Sequence, residues 1–143
     1  MYWKNIPTVI LYITERSECL LIEIEFNGDV PIYLQIRNKI LEAIAKGELK
    51  EGDSLPSVRQ MSGMIDVNLH TINKAYNLLK SEGYLQVDKR VGVIVKINKP
   101  NNFIDEFNEK INLILAEGKV MGLKEEEIIK IVKEKYNKFK VGD

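Results

Sequence analysis

The chain has very few of the residues that do metal or covalent chemistry. One cysteine, Cys19, and one histidine, His70, stand in 143 residues. A single cysteine excludes a disulfide framework within one chain, and one Cys with one His leaves no Cys/His cage for zinc. Cys–His and Ser–His catalysis have equally little to work with. The sequence holds no glycine-rich phosphate loop and no paired nucleophile and base. The apolar stretch at residues 6–13, IPTVILYI, falls far short of the ~20 residues that cross a bilayer. Residues 14–19 are a poor match to a secretory cleavage site. Net charge is zero, with 21 Lys and Arg against 21 Asp and Glu. Together these absences point away from an enzyme, from a metal or cofactor and from a membrane. They fit a reduced, cytoplasmic setting.

What is present is a chain able to fold. At 45% hydrophobic and 29% charged residues it has room for one ordinary domain, or a small domain plus an appendage. Its charge is unevenly spread. Residues 31–99 carry 11 Lys and Arg against 7 Asp and Glu, residues 1–30 carry 2 against 5, and residues 100–143 carry 8 against 9. The middle segment is therefore where an anionic partner would be met.

Residues 1–20 read as an atypical extension: a strand, a loosely packed arm, or the product of a misassigned start codon. Residues 21–26, LIEIEF, alternate apolar and acidic, the pattern of a half-buried strand. After a turn at Asn27, Gly28 and Asp29, Pro31 opens a helix with Ile32, Ile36, Ile40, Ala43 and Ile44 on its inner face. Gly47 ends it. Leu49 and Leu55 anchor the loop that follows. Ser57 is placed to cap a short helix with Val58, Met61 and Ile65 as its buried stripe. Asp66 tolerates the left-handed turn that comes next. Asn68 caps a further helix, which Gly83 stops.

That further helix has two stripes at helical spacing. Ile72, Ala75, Tyr76 and Leu79 form an apolar one, and His70, Asn73, Lys74 and Asn77 lie opposite. Each residue of the second stripe is a hydrogen-bond donor or a cation, and none is an acid. On an isolated helix this would be an ordinary solvated face. Behind a tight turn from a preceding helix it suits base edges and phosphates in a DNA major groove. Two β-rich runs, 84–88 and 92–97, then flank Lys89, Arg90 and Val91 as a hairpin with a basic tip. Helix, helix, recognition-type helix and basic hairpin make a winged helix-turn-helix, with Lys89 and Arg90 beside a phosphate backbone or in a minor groove.

A polar linker, 98–102, leads to two helices expected at 103–117 and 123–139, with Gly118 and Gly122 bracketing their connection. Ile104, Phe107, Ile111 and Ile114 make an a/d-like seam, and Leu123, Ile128, Val132, Tyr136 and Phe139 line one side of the second helix. A hairpin of this length cannot bury both faces by itself. It must pack on the winged helix, on another subunit, or on both.

These residues carry a resemblance. Gly47-Glu48-Leu49, Gly52-Asp53, Leu55-Pro56-Ser57 and Arg59, followed by Val67-Asn68, Thr71-Ile72, Lys74-Ala75-Tyr76, Leu79 and Glu82-Gly83, resemble the GntR family of transcription regulators. Pro31-Ile32-Tyr33 with Gln35-Ile36 belongs to the same pattern, which runs from about residue 22 to 97. The short two-helix tail and the form of the recognition helix resemble the YtrA-like subfamily. The resemblance implies a homodimer joined by the tail helices. It also implies a palindromic operator in double-stranded DNA, often that of a transporter operon, and a repressor's role.

Carried over position by position, the resemblance places Arg59 on a base edge or phosphate. It places the Thr71 hydroxyl, with backbone N–H groups of that helix end, on a phosphate. Ser57, Asn68, His70, Asn73 and Lys74 become DNA-facing positions, with Lys89 and Arg90 on the wing. Three departures stand out. Leu69-His70 replaces the common Pro-Asn, so base preference should differ. Arg90 stands where the wing commonly begins with glycine, and Val93-Ile94-Val95 replace Thr-Phe-Val.

The expected fold is α+β and mostly α. A winged helix-turn-helix at 21–99 follows the extension at 1–20 and precedes a dimerisation tail at 100–143. The tail's dimer residues are Ile104, Phe107, Ile111, Ile114, Ile128, Val132 and Tyr136. The rival reading is a winged-helix protein-interaction module without specific DNA binding, with the polar helix face as its docking surface. The positive excess and the acid-free stripe disfavour it. No effector is legible: a ligand pocket needs on the order of 300 Å³, more than one tail hairpin encloses. A pocket between subunits, partner binding and protein abundance stay open as means of control.

Overall fold

A computed structural model describes residues 8–13 and 18–140. Strand β1, Thr8–Ile13, pairs antiparallel with β2, Glu18–Glu23, placing Thr8 opposite Glu23 and Ile13 opposite Glu18. The strand expected over 21–26 thus lies earlier and draws its partner from the segment read as an extension. The alternation survives: Ile22 and Ile24 are buried, whereas Glu23 and Glu25 are exposed. The strand stops where a side chain replaces a neighbouring strand. The Glu25 backbone N–H donates to Gln35 Oε1 at 2.8 Å, and Gln35 Nε2 donates to the carbonyls of Glu25 (2.9 Å) and Val30 (2.8 Å). The remainder of that extension, 1–7 and 14–17, lies outside the described residues.

Helices α1 (Ile32–Ala45), α2 (Val58–Ile65) and α3 (Leu69–Ser81) follow, then a hairpin of β3 (Leu85–Asp88) and β4 (Gly92–Val95). Helices α4 (Phe103–Val120) and α5 (Glu125–Asn137) are the last of the described elements. It divides into two compact units, residues 1–98 and 99–143.

The first unit is built around α3. Its Ile72, Ala75, Tyr76 and Leu79 are fully buried against Ile36 and Ile40 of α1 and Met61 and Ile65 of α2. The Tyr76 hydroxyl donates to the Pro56 carbonyl at 2.8 Å, tying α3 to the turn before α2. Burial pushes that phenol far above its ordinary pKa, so it stays a neutral donor. Residues 52–55 add a short rung to the β-hairpin: Leu55 N–H donates to the Val93 carbonyl and Val95 N–H to the Asp53 carbonyl, each at 2.8 Å. Gly47 (φ +76°) and Gly83 (φ +89°) end α1 and α3 in the left-handed conformation.

The second unit differs from the sequence expectation at its connection. Helix α4 runs on to Val120, so Gly118 lies inside it, and Gly122 (φ +89°) alone breaks it. A Cβ on Gly118 would stand 3.4 Å from Leu123 Cδ1 and 3.5 Å from Ile128 Cδ1, because the returning chain comes up against this turn of α4. Helix α5 starts at Glu125 and not at Leu123. Lys124 N–H donates to the Glu127 carboxylate at 2.8 Å, and Glu125, Glu126 and Glu127 favour the positive helix end. No described residue of α4 or α5 is buried.

Candidate nucleic-acid interface

The turn between α2 and α3 is held by its own side chains. Ser57 caps α2 reciprocally with Gln60: Gln60 N–H donates to Ser57 Oγ at 3.1 Å, and Ser57 N–H donates to Gln60 Oε1 at 2.9 Å. The Ser57 hydroxyl, used here as an acceptor, keeps its own proton for an outside group. Arg59 is exposed in the first turn of α2, which contains no acid. A cation there meets the positive end of the helix, an arrangement that an external anion relieves. Asp66 (φ +51°) makes the left-handed turn, and Ser62 Oγ donates to the Val67 carbonyl at 2.6 Å.

Asn68 caps α3 through His70 N–H, which donates to its Oδ1 at 2.8 Å. Thr71 N–H donates to the Asn68 carbonyl at 3.0 Å. Those two amides are used within the cap. The Thr71 side chain beside them is half-buried. His70, Asn73, Lys74 and Asn77 are all exposed along one face of α3, opposite its buried stripe. Lys74 does not project alone: its Nζ lies 4.0 Å from the centroid of the Tyr33 ring on α1.

The hairpin pairs Leu85 with Val95 and Asp88 with Gly92. Its tip is closed by Asp88, whose Oδ1 accepts from Arg90 N–H (2.7 Å) and Val91 N–H (3.1 Å). Gly92 takes the positive φ, +98°, and Asp66 is the sole non-glycine with positive φ among the described residues. Arg90 thus occupies ordinary backbone at a place where the family pattern has glycine. Lys89 and Arg90 are exposed.

Acids gather elsewhere. A cleft of about 330 Å³ beside α1 is lined by Glu23, Glu25, Asp29 and Glu42, with Lys39. Among the described residues no group of His, Cys, Asp and Glu is placed to hold a metal, and no helix is long and apolar enough to cross a membrane.

In the tail, Ile104, Phe107, Ile111, Ile114, Val132 and Tyr136 are exposed, Ile114 at 65% and Tyr136 at 68%; Ile128 is half-buried. Phe103 and Phe107 stack with ring centroids 5.7 Å apart. Sequence reasoning passed over two residues with assignable work, Tyr33 and Gln35. Both stand in the Pro31–Ile36 pattern, but only their through-space partners show what they do.

Known proteins agree with this architecture. Residues 32–95 match the family described as bacterial regulatory proteins, gntR family. An uncharacterized HTH-type transcriptional regulator of Bacillus subtilis, YhcF, is 32% identical over 76% of this chain and 93% of its own length. The HTH-type transcriptional repressor YtrA of the same organism is 29% identical over 80% of this chain and 91% of its own. A crystal structure of a transcriptional antiterminator from Listeria monocytogenes superposes with a TM-score of 0.76 at 29% identity, over 84% of this chain and 92% of that one. The chain belongs to the GntR family of transcription regulators, a family of DNA-binding proteins and not of enzymes, and it is similar to the YtrA type within it.

Proposed function

We propose that this protein acts as a homodimeric repressor on a palindromic operator, each α3 entering one major groove. The observation that carries the reading is the exposed, acid-free stripe of His70, Asn73, Lys74 and Asn77 on a helix whose other side is locked in the core. Asn73 and His70 read base edges, with Asn68 at the helix start. Arg59 contacts a base or phosphate from α2, and Ser57 and Thr71 hold phosphates beside it. Lys89 and Arg90 reach the backbone or minor groove from the wing. In this reading residues 21–99 recognise DNA and 100–143 join two chains.

The dimer is supported by the tail. Its apolar residues Ile104, Phe107, Ile111, Ile114, Val132 and Tyr136 are exposed and Ile128 is half-buried, more apolar surface than a hairpin of this length buries by itself. Two copies facing each other would cover them and set two recognition helices roughly 34 Å apart, or a multiple of that.

The test is a fluorescence-anisotropy titration against the DNA just upstream of the protein's own gene, with scrambled DNA as competitor. Selective binding at two chains per site is expected, with affinity falling steeply as salt rises. Weak binding without site preference at every salt concentration would favour the docking-module reading instead.

A further inference from the structure

We infer that Tyr33 is a positioning residue for DNA binding, its ring holding the Lys74 ammonium at the DNA-facing side of α3. The inference rests on the function proposed above. Tyr33 lies in the first turn of α1 and packs against the core from one side. The Lys74 Nζ sits 4.0 Å from the ring centroid, well inside the ~6 Å reach of a cation–π contact. The contact joins two different helices, so it fixes the cation relative to the whole unit and not merely along α3.

A carboxylate partner would do something different. Arg37, also on α1, is paired to Glu82 at 2.9 Å, which cancels its charge locally. Lys74 takes part in none of the ion pairs found among the described residues. A π face holds a cation without neutralising it, which leaves the full charge for a phosphate. It also restricts a long, mobile side chain before DNA arrives, reducing the ordering cost on binding.

The experiment is a double-mutant cycle on the full chain with its operator. Tyr33→Phe keeps the π face and should bind within about twofold of wild type. Tyr33→Leu removes it and should weaken binding about two- to fivefold. In a Lys74→Ala background the same Tyr33→Leu change should cost nothing further. Tyr33→Met, whose longer unbranched side chain adapts to the space a ring leaves, repeats the test if the Leu variant melts early. The Lys74 ε-methylene protons should show an upfield ring-current shift in wild type, retained on DNA and lost in Tyr33→Leu.

Wild-type operator affinity in Tyr33→Leu, or an equal loss with and without Lys74, would overturn the inference while leaving the regulator intact. A wild-type protein with no operator preference would overturn both.

Discussion

The two units of this chain use the same kind of amphipathic helix and reach opposite ends. In the first, α3 sets Ile72, Ala75, Tyr76 and Leu79 against two other helices and a hairpin, and all four are fully buried. In the second, α4 and α5 carry apolar residues at comparable spacing, and none is buried. The difference is the number of elements available to each stripe. Three helices and a hairpin enclose a core, whereas two helices expose most of what they offer. An apolar stripe thus becomes core or stays exposed according to what else the same unit supplies.

The largest expected effect breaks the second unit's side of this comparison. Ile111→Asp with Val132→Asp puts charge into the proposed dimer seam. The protein should sediment as a monomer, and operator affinity should fall by roughly 10²–10⁴ as the two-site advantage is lost. The thermal transition of the first unit should hardly move. A variant that remains dimeric with full affinity would place the subunit contact elsewhere.

The converse change is Ile72→Ala. It leaves a cavity at a fully buried site and should cost roughly 2–5 kcal/mol of stability by urea unfolding. Tail association, measured on protein below its unfolding transition, should survive. If Ile72→Ala cost no more than a surface substitution, the central place of α3 in the core would be wrong.

Much of the first unit was legible because its signals are local. Ser57, Asp66, Asn68, Gly47 and Gly83 each mark a helix end by chemistry confined to a few residues, and the structure uses each there. The stripe at His70, Asn73, Lys74 and Asn77 was legible for the same reason, since spacing alone sets a helix face. What escaped depends on partners distant in sequence. The strand expected over 21–26 runs over Glu18–Glu23 and pairs with Thr8–Ile13, and periodicity cannot announce a strand's neighbour. Gln35 bridges ten residues to Glu25, and Tyr33 reaches Lys74 across two helices. In the tail, two glycines looked equivalent, but only Gly122 adopts the conformation that stops a helix.

A smaller effect separates recognition from folding within the first unit. Arg59 is exposed, so Arg59→Ala should leave the melting temperature unchanged. Operator binding should weaken by about 1–3 kcal/mol, the range for a side chain reading a base edge, with relaxed preference at the contacted position. Competition against singly substituted operators would locate that position. A drop that is uniform across sequences would reassign Arg59 to a phosphate, and no drop would remove it from the interface.

The smallest expected effect concerns the wing. Lys89 and Arg90 stand on a tip that Asp88 closes through backbone N–H groups, so removing their side chains leaves the turn in place. Lys89→Ala and Arg90→Ala should each weaken binding by a similar factor on operator and scrambled DNA. Each should also lower the slope of log affinity against log salt by about 0.9, one phosphate's worth. An Arg90 that instead lies in a narrow minor groove would behave differently: its loss would be felt most on A·T-rich sequence, because the groove's potential depends on its width. Measuring both variants across salt concentrations on operators differing only in the flanking A·T content separates backbone contact from groove reading. Unchanged slopes in both variants would show that the wing stays clear of the DNA and that α2 and α3 carry the contact alone.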